Sequence, residues 1–262
     1  MPVGKPSPPA RHEPEDWEHY KLWLQVREAI LALPAYFKTA TSIEGMLATD
    51  IFTLNAALGA TIEEQVVQTL NSMRSMWDPE KKYQGYSFIR QAQTFPDVLL
   101  RKKTNGQDIL LGIELKGWYI LAKEGMPNFR FTVTETACTA MDLIVVVPWV
   151  LSNVLAGSPV AFNPYIELAL HAAEKRNYHW QVERATKDDR GITVATGVAP
   201  YPIKSDKISD RPAYDAGGNF GRLARNGMLD PYITEMMRVK ICGVAAMDWL
   251  DFFRKHAKDA GE

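Results

Sequence analysis

The segment FPDVLLRKKTNGQDILLGIELK, residues 95–116, holds two runs rich in aliphatic residues on either side of Asn105-Gly106. Asn-Gly between such runs is the strongest short-range signal for a two-residue hairpin turn. In that turn Thr104 pairs with Gln107, and all facing residues have numbers with the same sum. Asp97 then stands directly opposite Glu114, with side-chain roots about 4.5–5.5 Å apart. Side chains alternate along a strand, so Lys116 shares the face of Glu114. Ile109, Leu111, Ile113 and Leu115 project from the other face, joined by Val98 and Leu100. The hairpin is expected to be apolar on one side and to present Asp97, Glu114 and Lys116 together on the other.

Two like charges held directly opposite each other destabilise a sheet unless a cation lies between them. A divalent ion is the economical solution. The chain has two cysteines, Cys138 and Cys242, and five scattered histidines without ligand spacing, so the donors would be carboxylate oxygens and the expected ion is hard, Mg²⁺ rather than zinc. A lysine beside two carboxylates and Mg²⁺ is suited to attack of water on a phosphodiester, where negative charge builds on phosphorus-bound oxygens. Against this stands the bland reading, in which Pro-Asp and Glu-x-Lys co-occur by chance on a solvated sheet face.

Outward from the hairpin, Tyr83–Arg90 reads as a strand preceding it. Asp142–Pro148 is an almost unbroken apolar run, as in a strand covered on both faces. Thr132–Met141 between them is long enough for a crossover helix. Upstream, Ile62, Val66, Val67, Leu70, Met73 and Trp77 recur at helical spacing, with Thr61 as expected N-cap, Glu64 as its capping-box partner and Asp78-Pro79 as the stop. Trp17, Tyr20, Leu24, Ile30 and Leu31 mark an earlier helix that Pro34 interrupts. Downstream, helices are expected over Pro164–Asn177, from Asp230-Pro231 and over Val244–His256. Residues 200–227, rich in Gly, Pro, Asp, Asn and Arg, read as a long loop or small irregular lobe. The first 16 residues carry five prolines and read as an unstructured lead-in, leaving 17–262 as one domain with its core at about 61–148.

Phe95-Pro96-Asp97 followed across a hairpin by Glu114-Leu115-Lys116 resembles the Pro-Asp…(Asp/Glu)-x-Lys signature of the restriction-endonuclease-like PD-(D/E)XK nucleases. The order of helix, three strands, crossover and fourth strand over Thr61–Pro148 is similar to that superfamily's α/β core, a mixed central β-sheet flanked by α-helices. Single-domain size and extra segments around the core resemble type II restriction endonucleases most. The resemblance implies that Asp97 and Glu114 ligate Mg²⁺, that Lys116 orients or activates the attacking water, and that the products carry 5′-phosphate and 3′-hydroxyl ends. It also implies double-stranded DNA as partner and a second subunit so that both strands are cut.

Many members of the superfamily add an acidic residue from the first core helix, and Glu63 and Glu64 are the candidates. At about 100° per residue, Glu63 stays within the arc of Ile62, Val66, Val67 and Leu70, whereas Glu64 points outside it. Glu63 is therefore the candidate fourth catalytic residue, its alternative being a solvated carboxylate favoured by a helix start.

The chain has 30 Lys+Arg against 31 Asp+Glu among 262 residues, which argues against coating nucleic acid by bulk attraction but leaves room for a local basic groove. Basic residues outnumber acidic ones 10 to 8 over 61–130 and 5 to 3 over 200–227, against 5 to 7 in both 1–60 and 131–199. Within 200–227, Arg211, Asn219, Arg222, Arg225 and Asn226 are the types that pair with guanine or adenine edges. No apolar run long enough to span a bilayer occurs, and a cytoplasmic location is expected. Two other readings stay open: a structure-selective repair or junction-resolving nuclease of the same superfamily, and a non-catalytic DNA-binding module that kept the fold.

Overall fold

Leu22, Trp23, Val26, Ala29 and Ile30 form the buried face of α1 (Tyr20–Leu31) in the computed structural model, which describes residues 6–91, 93–104, 108–185 and 189–259. Leu24 and Leu31, expected on that stripe, are exposed instead. Pro34 starts the short helix α2 (Leu33–Tyr36) rather than only interrupting α1. The helix expected to begin at Thr61 is longer. α3 runs Leu54–Ser72, with Thr53 in the N-cap position and no side-chain cap bond. Ala56, Ala57 and Ala60 favour helix strongly enough to carry it through Gly59. Thr61 is therefore interior and Glu64 has no capping role; its carboxylate accepts a bond from Gln68 Nε2 at 3.3 Å. α4 (Arg74–Trp77) follows directly and ends at Asp78.

Four strands follow at the expected places: β1 (Tyr86–Arg90), β2 (Val98–Lys102), β3 (Ile109–Tyr119) and β4 (Leu143–Leu151). β1, β2 and β3 are antiparallel neighbours, and β4 runs parallel to β3. The far edge of β4 is shared by β5 (Pro159–Ala161) and β6 (Tyr165–Leu168), both antiparallel to it. The result is a mixed sheet with helices on both faces, so the chain has an α/β fold. Every residue of β4 is buried, as its continuous apolar sequence requires.

One face of the sheet carries Val98, Leu100, Leu111, Ile113 and Leu115 against α1 and α3, with Trp23 and Trp77 filling the interface. Full burial of an aliphatic side chain of this kind stabilises by roughly 1.5–3 kcal/mol relative to exposure. The other face carries Trp118, Ile144 and Val146 against α5 (Ala169–Tyr178) and the C-terminal half of the chain.

Three expectations need correction. Thr132–Met141 forms no crossover helix but a single 3-10 turn, Glu135–Ala137. Its β-branched threonines and Val133 disfavour helix, and the isolated bridge Val133↔Ser209, with Arg130↔Arg222 just before the segment, ties this stretch instead to the 200–227 lobe. The helix expected from Pro164 starts only at Ala169, because Tyr165–Leu168 pairs with β4. Asp230 and Pro231 open α6 (Asp230–Arg238) from inside its first turn, with Leu229 as N-cap. α7 (Ala246–Asp259) closes the chain.

Residues 200–227 are irregular, as read from their composition, with Gly217, Gly218, Gly221 and Gly227 at positive φ. The lobe is anchored by buried Arg176 of α5, whose guanidinium donates to the carbonyls of Phe131 and Val133 at 3.0 and 2.8 Å and pairs with Asp210. The lead-in has neither helix nor strand from Pro6 to Asp16, but Arg11 pairs with Glu167 and Glu13 at 2.8 and 2.7 Å. Among the described residues no helix is long and apolar enough to cross a membrane.

Candidate active site

Val98↔Ile113, Leu99↔Gly112 and Leu100↔Leu111 pair in the register that, carried one residue beyond β2, sets Asp97 against Glu114. Nearer the turn it slips by one, since Arg101 faces Ile109 and Leu110 is left over as a bulge. Leu110 rather than Ile109 consequently joins the apolar core. Asn105-Gly106 itself lies outside the described residues. The strand pairing at the site is thus the one inferred from a two-residue turn, although the strands do not follow it all the way to their ends.

Asp97 immediately precedes β2 and is fixed from several sides. Its carbonyl accepts the Gln91 amide at 2.6 Å, and Gln91 Nε2 donates to the Pro96 carbonyl at 3.0 Å. Gly112 makes room for Pro96, since a Cβ there would lie 2.1 Å from Pro96 Cγ. Buried Asp142 accepts the Gly112 amide at 2.7 Å and the Thr139 amide at 2.8 Å, locking the start of β4 to β3. The Asp97 carboxylate then reaches across the ladder to accept the Leu115 amide at 3.1 Å.

Lys116 Nζ lies 2.8 Å from Asp97 Oδ2 and 2.9 Å from Glu114 Oε1. The cation that separates the opposed carboxylates is thus supplied by the chain itself. Burial pushes the Glu114 carboxyl up to about 7 despite the neighbouring ammonium, with the Asp97 charge acting in the same direction. Burial alone would lower the Lys116 pKa, but Glu114 and Asp97 outweigh it and raise it above the ordinary lysine value. Lys116 therefore remains charged throughout the neutral range.

Glu63 reaches this cluster from α3. Its carboxylate pairs with Arg90 at 3.1 Å, and burial raises its pKa, while Lys116 opposes that shift. Glu64, on the exposed side, lies 4.0 Å from the same guanidinium. Among the described residues no three His, Cys, Asp or Glu side chains form a ready-made metal cage. The geometry explains this: Lys116 occupies the point on which Asp97 and Glu114 converge, and Arg90 engages Glu63. Two carboxylate oxygens directed at one cation-sized point are nevertheless a donor set that suits a hard divalent ion.

A cleft of about 470 Å³ opens beside the cluster, lined by Lys116 and Glu63 together with Gly59, Phe52, Asn128 and Phe129. The segment Glu124–Asn128 separates it from Arg222 and Arg225, which face that segment from the 200–227 lobe. Those two arginines are the candidate base-contacting residues that come close to the cleft. Arg222 Nε donates to the Gly218 carbonyl at 3.0 Å, while Arg225 is exposed. Arg211 is exposed in a short ladder with Thr193 and borders a different depression. Asn219 is exposed, and its amide donates to Asp215 at 2.7 Å. Asn226 is buried, and its Oδ1 accepts the Met228 amide at 3.0 Å.

Arg90, Gln91 and Asp142 support the cluster and stand outside the site residues expected from the sequence. Arg90 could have been found by extending the pairing to β1, where it faces Val98, the neighbour of Asp97. Asp142 stands directly before the most apolar strand, a position where an acidic residue has to be hydrogen-bonded if it is buried. Comparison of the chain with protein-family models, with curated proteins and with solved structures gives no match.

Proposed function

We propose that the chain is a Mg²⁺-dependent, sequence-specific endonuclease of the restriction type that hydrolyses phosphodiester bonds in double-stranded DNA, acting with a second copy so that both strands are cut. The observation that carries this reading is the convergence of Asp97 Oδ2 and Glu114 Oε1 on Lys116 Nζ at 2.8 and 2.9 Å. Three antiparallel strands followed by a parallel fourth, with Asp97 ahead of the second strand and Glu114 and Lys116 on the third, agree with the restriction-endonuclease-like resemblance of the sequence.

Asp97 and Glu114 would hold Mg²⁺, which supplies Lewis-acid polarisation of the phosphate when bound. Lys116 stays protonated, so it acts as a cation and a three-donor group that orients water and stabilises negative charge on the phosphoryl oxygens. Glu63, held by Arg90, contributes a further carboxylate at the edge of the same cluster. Arg222 and Arg225, which border the Glu124–Asn128 segment, would contact the duplex, with Arg211 and Asn219 extending the polar surface of the lobe.

The test is digestion of a plasmid of known sequence in Mg²⁺, with sequencing of the ends. The expected result is cutting at one short recurring sequence, with 5′-phosphate and 3′-hydroxyl ends, and its abolition in a folded Asp97→Ala protein. Undiminished cutting by Asp97→Ala would overturn the assignment.

A further inference from the structure

The cleft beside Lys116 has a composition that a phosphate-binding groove does not need. The helix that forms one wall presents Ala56, Gly59 and Ala60 to it. Gly59 lies inside α3, where glycine is unfavourable relative to alanine. A Cβ at Gly59 would meet nothing within 4 Å, so packing within the protein does not require the missing side chain. Phe52 and Phe129, both only partly buried, supply aromatic surface across the same space.

Polar groups in the cleft have capacity to spare. Asn55 Oδ1 accepts the Tyr119 amide at 3.1 Å, which leaves its Nδ2 donor unused among the described residues. Asn128 is exposed and makes no side-chain hydrogen bond among the described residues, and buried Trp118 is a further lining residue of the cleft. A volume of about 470 Å³ lies in the range of small-molecule sites. Flat aromatic walls, a bare glycine and unspent amide donors are the equipment for an unstacked nucleobase.

From this juxtaposition we infer that the cleft receives one nucleoside of the strand being cut, swung out of the helix beside the scissile phosphate. The inference rests on the nuclease reading, because Lys116 and Glu63 border both the cleft and the carboxylate cluster and so fix the occupant next to the reacting bond. Phe52 or Phe129 stacks on the base, Gly59 lets it approach the α3 backbone, and Asn55 and Asn128 read its edge. DNA with an unpaired or mismatched base at that position is the preferred substrate, since extrusion costs least there.

The experiment starts from the mapped cut site and uses duplexes carrying a single abasic site at each position within two nucleotides of it. Gly59→Leu fills the cleft and should keep the unfolding temperature of the wild-type protein. It should slow cutting of intact duplex by about tenfold or more, within the range that stacking supports. At one abasic position the ratio of wild-type to Gly59→Leu rates should fall to within about threefold. At that position 2-aminopurine should change fluorescence on binding in Ca²⁺. Asn128→Ala, at an exposed side chain, should show the same position dependence and covers the case in which Gly59→Leu misfolds. If wild-type protein cuts DNA but both variants slow every substrate equally, or neither variant slows any, the base pocket is refuted and the nuclease reading stands. If wild-type protein leaves all DNA intact, the nuclease reading falls and the pocket with it.

Discussion

Replacing Lys116 by Met removes the ammonium that separates Asp97 from Glu114 while keeping much of the aliphatic stem. At an effective dielectric of about 20, each contact near 2.8 Å is worth roughly 6 kcal/mol before desolvation. Desolvation of the three groups and repulsion between the carboxylates offset much of that. Loss of one member from a buried ion pair typically costs about 3–5 kcal/mol. Because the Lys116 and Asp97 side chains each retain 22% exposure, the expected loss is the lower figure, about 3 kcal/mol. For a domain of this size that lowers the unfolding temperature by roughly 6–12 °C.

The loss should depend on pH in a stated direction. The Glu114 carboxyl is raised from 4.5 to about 7 in the folded protein, so between those values the folded state binds more protons than the unfolded one. Glu114 therefore contributes destabilisation that grows as pH rises through that window. Without Lys116 the carboxyl is pushed higher still, and the difference between wild type and variant should be large at pH 8 and shrink toward pH 5.5, where Glu114 is protonated in both. Thermal unfolding in EDTA at the two pH values measures this. Added Mg²⁺ should restore the variant at pH 8 more than it stabilises the wild type, because the ion takes the place of the lost ammonium. A variant as stable as wild type at pH 8 in EDTA, or equal stabilisation of both by Mg²⁺, would refute the placement of Lys116 as the separating cation.

Gly112→Ala places a methyl group 2.1 Å from Pro96 Cγ and 2.9 Å from Asp142 Oδ1; it should cost about 1–3 kcal/mol by overpacking and, by shifting the chain that leads into Asp97, lower cutting about 10²-fold. Unfolding and cleavage assays on one preparation test this, and wild-type activity would show that Pro96 does not position Asp97. Calorimetric Mg²⁺ titration should show affinity at least about fivefold tighter with a duplex carrying a non-hydrolysable linkage at the cut site than without DNA; equal affinities would contradict the coupling argued below.

The site was legible where local rules act over short distances. Alternation along β3 sets Glu114 and Lys116 on one face, and antiparallel pairing sets Asp97 opposite, so three of the clustered residues follow from the hairpin alone. Glu63 was chosen over Glu64 by helical phase, which does not depend on where α3 begins; that is why the choice is unaffected by the misplaced start at Thr61. What stayed hidden depends on distant chain. Thr132–Met141 avoids helix because residues 208–210 pair with Thr132–Thr134, and Tyr165–Leu168 is a strand because β4 offers an open edge. Asn226 reads as a base-contacting residue by type, yet it is buried by a turn that ends on its own side chain.

Near-neutral composition has a local counterpart in the cluster. Asp97, Glu114 and Glu63 formally carry three negative charges, and Lys116 and Arg90 carry two positive ones, so the free site is close to balanced and has little field to attract either ion alone. A divalent cation by itself would leave an excess of one positive charge while competing with Lys116 for the same oxygens. A phosphodiester by itself would raise the negative excess to two. Together they would bring one net positive charge and cancel the deficit; Asp97 and Glu114 would hold the ion, and the Lys116 donors they now occupy would be available to the phosphate. On the proposed nuclease reading, cation and DNA would then be favoured jointly rather than separately at these five side chains, without any overall positive charge on the chain.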